Sequence, residues 1–187
     1  MNVLDSIVKT PMGDDTIRKY FPDAKIILYS DLDNYKNLND LLKDDIDYCF
    51  ILYEQSPHNG HWVLIGKYPY NNKTFYEYFD SYGGKIDEPL GWNDDETNEE
   101  LEQDKPILSK LFKLANGEKI YNNIAYQEYS DYNDINSCGR HCCLRVMFIT
   151  NQDVPSILSF YYQFMSELSK RTNLNYDQIV SNFINKK

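Results

Sequence analysis

The stretch Gly60–Asp80, GHWVLIGKYPYNNKTFYEYFD, decides the fold. Two runs rich in aromatic and β-branched residues, His61–Tyr68 and Thr74–Phe79, flank PYNNK, whose Asn71-Asn72 pair suits a tight turn. The pattern predicts an antiparallel hairpin. Upstream, Tyr48–Tyr53 reads as a further strand and Lys25–Tyr29 (KIILY) as a buried one. Asp14-Asp15-Thr16 before IRKYF predicts a short helix ended by Pro22, and leucines 38, 41 and 42 give Asn37–Leu42 a helical spacing. Downstream, Pro106 opens the helical pattern PILSKLFKLA, which Asn116-Gly117 stops. From Cys138 the period is helical to the end. CGRHCCLRVMFI, apolar apart from Arg140, His141 and Arg145, predicts a buried helix. Ser156–Arg171 and Tyr176–Ile184 are amphipathic, the latter capped by Asn173 or Asn175. Central strands followed by helices predict an α+β fold: a small mixed or antiparallel central sheet packed against the helix that begins at Cys138, flanked by further helices. The 187 residues have room for one such domain, 1–187.

Lys+Arg 19 against Asp+Glu 29 leaves a formal net charge of -10. That balance argues against a nucleic-acid partner, because non-specific affinity rests on Lys and Arg neutralising phosphates. Nine of those acids lie in Asp87–Asp104 (DEPLGWNDDETNEELEQD), which reads as a solvated surface excursion at about 87–104. No apolar run is long enough to span a bilayer and the first residues show no signal-peptide pattern, so the expectation is a soluble, intracellular chain without a membrane partner. Four cysteines, three of them crowded into Cys138–Cys143, do not form a disulfide framework.

Cys138 follows the polar, turn-rich SDYNDINS and opens the buried helix. At a helix N-terminus the free N–H groups and the macrodipole favour a thiolate, which makes a nucleophile at neutral pH. Gly139 beside it would permit close approach by a substrate. Cys49, Cys142 and Cys143 read as inert core, and His58 in QSPHNG as an exposed turn residue. His61 fits either a satisfied strand-edge residue or a general base held on a rigid element. If the hairpin forms, the start of the His61 strand lies beside Asp80, whose carboxylate could fix the imidazole tautomer. Glu77 and Glu54 are weaker candidates, expected on outward strand positions. A zinc reading of Cys138, His141 and Cys142 lacks a paired ligand motif elsewhere, so no metal or other cofactor is expected.

The order GHWVLI, YEYFDSYGG, Gln127 and NSCGRHCC resembles the adenovirus-protease and Ulp1-like cysteine peptidases, and within them the maturation proteases of virophages and large DNA viruses. Papain-type enzymes carry the Cys before the His. The resemblance implies His61 as general base, Asp80 as its orienting acid, Cys138 as nucleophile, Trp62 packing under the site and Gln127 as side-chain oxyanion donor. The link from Gln127 to Cys138 is longer than the family's usual one, so it bulges or Asn133 takes the donor role. The resemblance further implies cleavage after small residues, often glycine, and a viral role: processing capsid or other structural precursors in the host cytoplasm or the virion. Removal of ubiquitin or SUMO is the alternative within the family, and a non-catalytic virion interaction protein is the alternative outside it. The adenovirus enzyme is stimulated by DNA and a small viral peptide. The acidic balance argues against a DNA cofactor here, and the sequence carries no sign of a peptide activator.

Overall fold

The computed structural model describes residues 3–129 and 135–185. A five-stranded mixed sheet runs in the order β1 (Lys25–Leu28), β2 (Asp47–Ser56), β3 (Asn59–Tyr70), β4 (Lys73–Phe79), β5 (Glu118–Tyr121). The inner strands β2, β3 and β4 are antiparallel, and each edge strand is parallel to its neighbour. The β3–β4 hairpin closes with Tyr70 opposite Lys73, and Asn71 and Asn72 both adopt the positive φ that a two-residue turn of this twist demands. The α+β architecture expected from the sequence is the one observed.

Alternation along the strands sorts two cores. Phe50, Leu52, Trp62, Leu64 and Tyr68 face the layer built around α6 (Cys138–Thr150). Cys49, Ile51, Tyr53, Val63 and Ile65 face the opposite layer with α5 (Ile107–Leu114) and α3 (Leu38–Leu41), which Asn37 caps through two backbone N–H groups. Helix α6 lies directly on β3. A side chain at Gly66 would meet Ile149 Cδ1 at 2.7 Å, so the glycine sets how closely the helix can approach. Helices α7 (Leu158–Thr172) and α8 (Tyr176–Phe183) cover the outer side of α6, with Asn175 forming a capping box at the start of α8. The first helices are α1 (Val3–Lys9), which packs on α8, and α2 (Asp14–Tyr20).

Three findings correct the sequence reading. Strand β5 and helix α1 were not expected: both are short, and each is decided by a partner distant in the chain, β4 and α8 respectively. The acidic excursion is structured. It holds a 3-10 turn at Glu88–Trp92 and α4 (Asp95–Glu100), and its Asp87 accepts hydrogen bonds from the Tyr29 hydroxyl and the Ser109 N–H. Gln103 Nε2 and Asn93 Nδ2 both donate to the Glu54 carbonyl, so the excursion is stitched to β2.

Glu77 and Glu54 are both buried rather than outward. Glu77 faces α6 and receives two charge-assisted hydrogen bonds of 2.6 Å from Arg145, while the Tyr68 hydroxyl donates to it at 2.6 Å. All the polar residues that interrupt the apolar α6, Arg140, His141 and Arg145, are buried. An unpaired charge at such depth is costly, so Arg145→Met, which leaves Glu77 without its cation, is expected to cost about 3–5 kcal/mol in urea unfolding. Replacing Glu77 by Leu as well should recover much of that loss, because the pair rather than either charge is what the core accommodates.

Candidate active site

Three elements converge beside the start of β3. The strand presents His61 as its third residue, Asp80 directly follows β4, and the first turn of α6 presents Cys138. His61 Nε2 lies 2.9 Å from Asp80 Oδ1, and both side chains are buried. Asp80 Oδ1 also accepts the Tyr82 N–H at 2.9 Å, and Asn122 Nδ2 donates to the Asp80 carbonyl. With Nε2 committed to the carboxylate, Nδ1 is the ring nitrogen left for the Cys138 thiol, which is hydrogen-bonded to the imidazole.

The electrostatics follow from this contact. Burial alone would lower the imidazole pKa, but the hydrogen bonds and charges of Asp80 and Cys138 outweigh it and raise His61 to about 10. Burial alone would raise the thiol, yet the imidazole and the backbone N–H groups of Trp62 and Gly139 hold Cys138 below the ordinary thiol value. Burial pushes Cys49, Cys142 and Cys143 the other way. The arrangement stabilises a thiolate–imidazolium pair.

Cys138 and His61 open on a cleft of about 700 Å³ that Gln55, Tyr82, Glu88, Trp92, Gln127 and Tyr129 help to line. Tyr82 stacks on the His61 ring with centroids 5.1 Å apart, and Trp92 lies 5.0 Å from it. Trp92 is the one aromatic residue of the acidic stretch, and that isolation was the signal available in the sequence. Glu88 comes from the same stretch, so the excursion walls the cleft.

Gln127 lines the cleft with its amide held on both ends. Its Oε1 accepts from Ser81 Oγ at 2.8 Å, and its Nε2 donates to Tyr82 Oη and to the Ile135 carbonyl, each at 3.0 Å. Asn133 lies outside the described residues. Trp62 is buried beneath the site and donates from Nε1 to the Met12 carbonyl. Gly139 has Met12 Cβ and Trp62 Cδ1 within 3.0 and 3.2 Å of the place a side chain would occupy, so a side chain there would press on both.

Asp177, on α8, was not singled out from the sequence. Its carboxylate accepts from the Glu128 N–H, from Ser137 Oγ and from His141 Nε2, all with Asp177 fully buried. One side chain thereby ties the residue after Gln127 to the residue before Cys138, fixing both ends of the long link. His141 is turned toward Asp177, and among the described residues no three His, Cys, Asp or Glu side chains gather as a metal site. Among those residues, too, no helix is long and apolar enough to cross a membrane.

The chain is 34% identical over 124 residues to the uncharacterized protein V9 of Sputnik virophage, a match covering 66% of this chain and 67% of that protein. Among solved structures it is similar to the ASFV pS273R protease, with a TM-score of 0.53 at 14% identity over 94% of this chain and 66% of that one. The selenomethionine form of the same protease superposes with a TM-score of 0.50 at 16% identity, over 94% and 67% of the two chains. At such identities the likeness is one of fold. No family model matches the sequence.

Two measurements check the site. Iodoacetamide at pH 7 should label Cys138 alone among the cysteines, and His61→Ala should slow that labelling by about 10-fold or more, as thiolate is lost. Mass spectrometry of tryptic peptides reads both outcomes. Asp177→Ala leaves two buried donors, Ser137 Oγ and His141 Nε2, and the Glu128 N–H unpaired, and should cost about 3 kcal/mol in chemical unfolding.

Proposed function

We propose that this chain, which belongs to the family of the Sputnik virophage protein V9, is a cysteine endopeptidase that processes viral structural precursors. The observation that carries the reading is the His61–Asp80 contact of 2.9 Å with Cys138 on the other side of the imidazole, at a helix N-terminus open to a cleft. Buried His–Asp pairs also occur as structural contacts. A thiol with a lowered pKa on the remaining nitrogen distinguishes this one. Similarity to the fold of a viral protease supports the same reading.

In this account Cys138 thiolate adds to the peptide carbonyl carbon and the carbonyl π electrons move to oxygen. The α6 N-terminus and the Gln127 side chain stabilise the resulting oxyanion. His61, held by Asp80, gives its proton to the leaving amine as the C–N bond breaks, and a thioester remains on Cys138. His61 then takes a proton from water, which attacks the thioester and frees the acid. Residues 1–187 act as one peptidase domain. Its substrates are capsid or related precursors in the host cytoplasm where particles assemble, and small residues such as glycine suit a cleft narrowed by Tyr82 and Trp92. The net charge of -10 gives DNA no role as activator.

Co-expression with the capsid precursor encoded by the same virus tests the assignment. Wild-type chain should yield new precursor termini and Cys138→Ala should yield none, while added DNA should leave the cleavage rate unchanged within about twofold. Cleaved product with Cys138→Ala would remove the thiol from the mechanism. Labelling of Cys138 by ubiquitin- or SUMO-vinyl-sulfone, with the precursor left intact, would reassign the chain to removal of modifiers.

A further inference from the structure

Hydrogen-bond accounting around Gln127 leaves one proton in the cleft without an acceptor among the described residues. An amide side chain has two N–H donors and one carbonyl acceptor. The Ile135 carbonyl can only accept, so the group facing it at 3.0 Å is the NH2, and Oε1 receives Ser81 Oγ at 2.8 Å. The second N–H of Gln127 then goes to Tyr82 Oη at 3.0 Å. Both amide protons are spent. The Tyr82 hydroxyl is an acceptor in this contact, so its own proton points elsewhere, and among the described residues nothing receives it.

Tyr82 is well placed to use that proton. Its ring is fixed against His61 at a centroid distance of 5.1 Å, and it lines the cleft together with Cys138. Burial, and then the nearby Cys138 sulfur, push the phenol above its ordinary pKa, so it stays a donor at neutral pH. Ser81, Gln127 and Tyr82 form a polarised chain in which each donor strengthens the next.

We infer that the Tyr82 hydroxyl donates the side-chain hydrogen bond to the oxyanion formed at Cys138, and that Gln127 acts by orienting that hydroxyl. The inference rests on the peptidase reading above and changes the assignment of one of its parts. When the thiolate adds to the carbonyl carbon, the π pair moves to oxygen, and Tyr82 O–H donates to the alkoxide without giving up its proton. Gln127 is then a positioning residue and Tyr82 a catalytic one.

A carbonyl probe separates the two, because an aldehyde forms a hemithioacetal whose oxygen occupies the oxyanion position whereas iodoacetamide needs only the thiolate. With N-acetyl-glycyl-glycinal as the probe, Tyr82→Phe should weaken binding by about 100-fold, the loss typical of one oxyanion donor. The same variant keeps the ring stacked on His61, so the pH profile of Cys138 alkylation should persist. Gln127→Ala should weaken the aldehyde too, and the double variant should lose little more than Tyr82→Phe alone. Aldehyde affinity of Tyr82→Phe within about twofold of wild type, with Gln127→Ala alone impaired, would overturn the inference and return the donor role to Gln127. A wild-type Cys138 that neither alkylates ahead of the other thiols nor takes the aldehyde would overturn the peptidase reading itself, and this inference with it.

Discussion

The seating of α6 on β3 is the constraint from which the rest follows. Gly66 removes the side chain that would hold the helix off the sheet, and the Arg145–Glu77 pair pins the helix to β4 by two hydrogen bonds. A charge pair in a dry core tolerates little displacement, because any slip leaves both ions unsolvated. With the helix fixed in this way, its first turn lies beside the start of β3 and the end of β4. The Cys138 thiol comes from the helix, and the His61 imidazole and Asp80 carboxylate come from the sheet. Their mutual geometry is therefore a property of the core, at some distance from the pinning contact.

A second constraint acts from outside that core. Asp177 holds Glu128 and Ser137, the residues next to Gln127 and Cys138, so the length of chain between them matters little to the site. The N-terminal segment closes the same corner: Asn136 N–H donates to the Val8 carbonyl, Arg140 to the Thr10 carbonyl and Trp62 to the Met12 carbonyl. A wide interval in sequence is bridged by backbone groups that any residue could supply.

This explains what was legible in the sequence. The hairpin was readable because two aromatic, β-branched runs and an Asn-Asn turn agree locally. Cys138 was readable as a helix start because a polar stretch gives way abruptly to an apolar one. The residues that act through distant backbone or buried charge were not: Asp177 looks like an ordinary acidic residue in a helix first turn, and Glu77 alternates in a strand as a solvent-facing residue would. Burial on both faces of β4 reversed the second expectation, since α6 covers the face that alternation alone assigns to water. The acidic stretch lies at the surface as its charge implies, and what the sequence did not show is how it folds against the domain. Its net charge argues for solvation, yet Asn93, Gln103 and Asp87 use side-chain amide and carboxylate groups to satisfy the backbone of β2 and α5, and so bring Trp92 to the cleft.

The central claim is electrostatic: the lowered Cys138 thiol and the raised His61 imidazole, which Asp80 holds, favour the thiolate–imidazolium pair. Nitrogen-15 NMR of the His61 ring in the wild-type chain tests it most directly. At pH 8 the account predicts two protonated ring nitrogens, as expected for an imidazole raised to about 10. A neutral single tautomer at that pH, with one ring nitrogen bare, would contradict it.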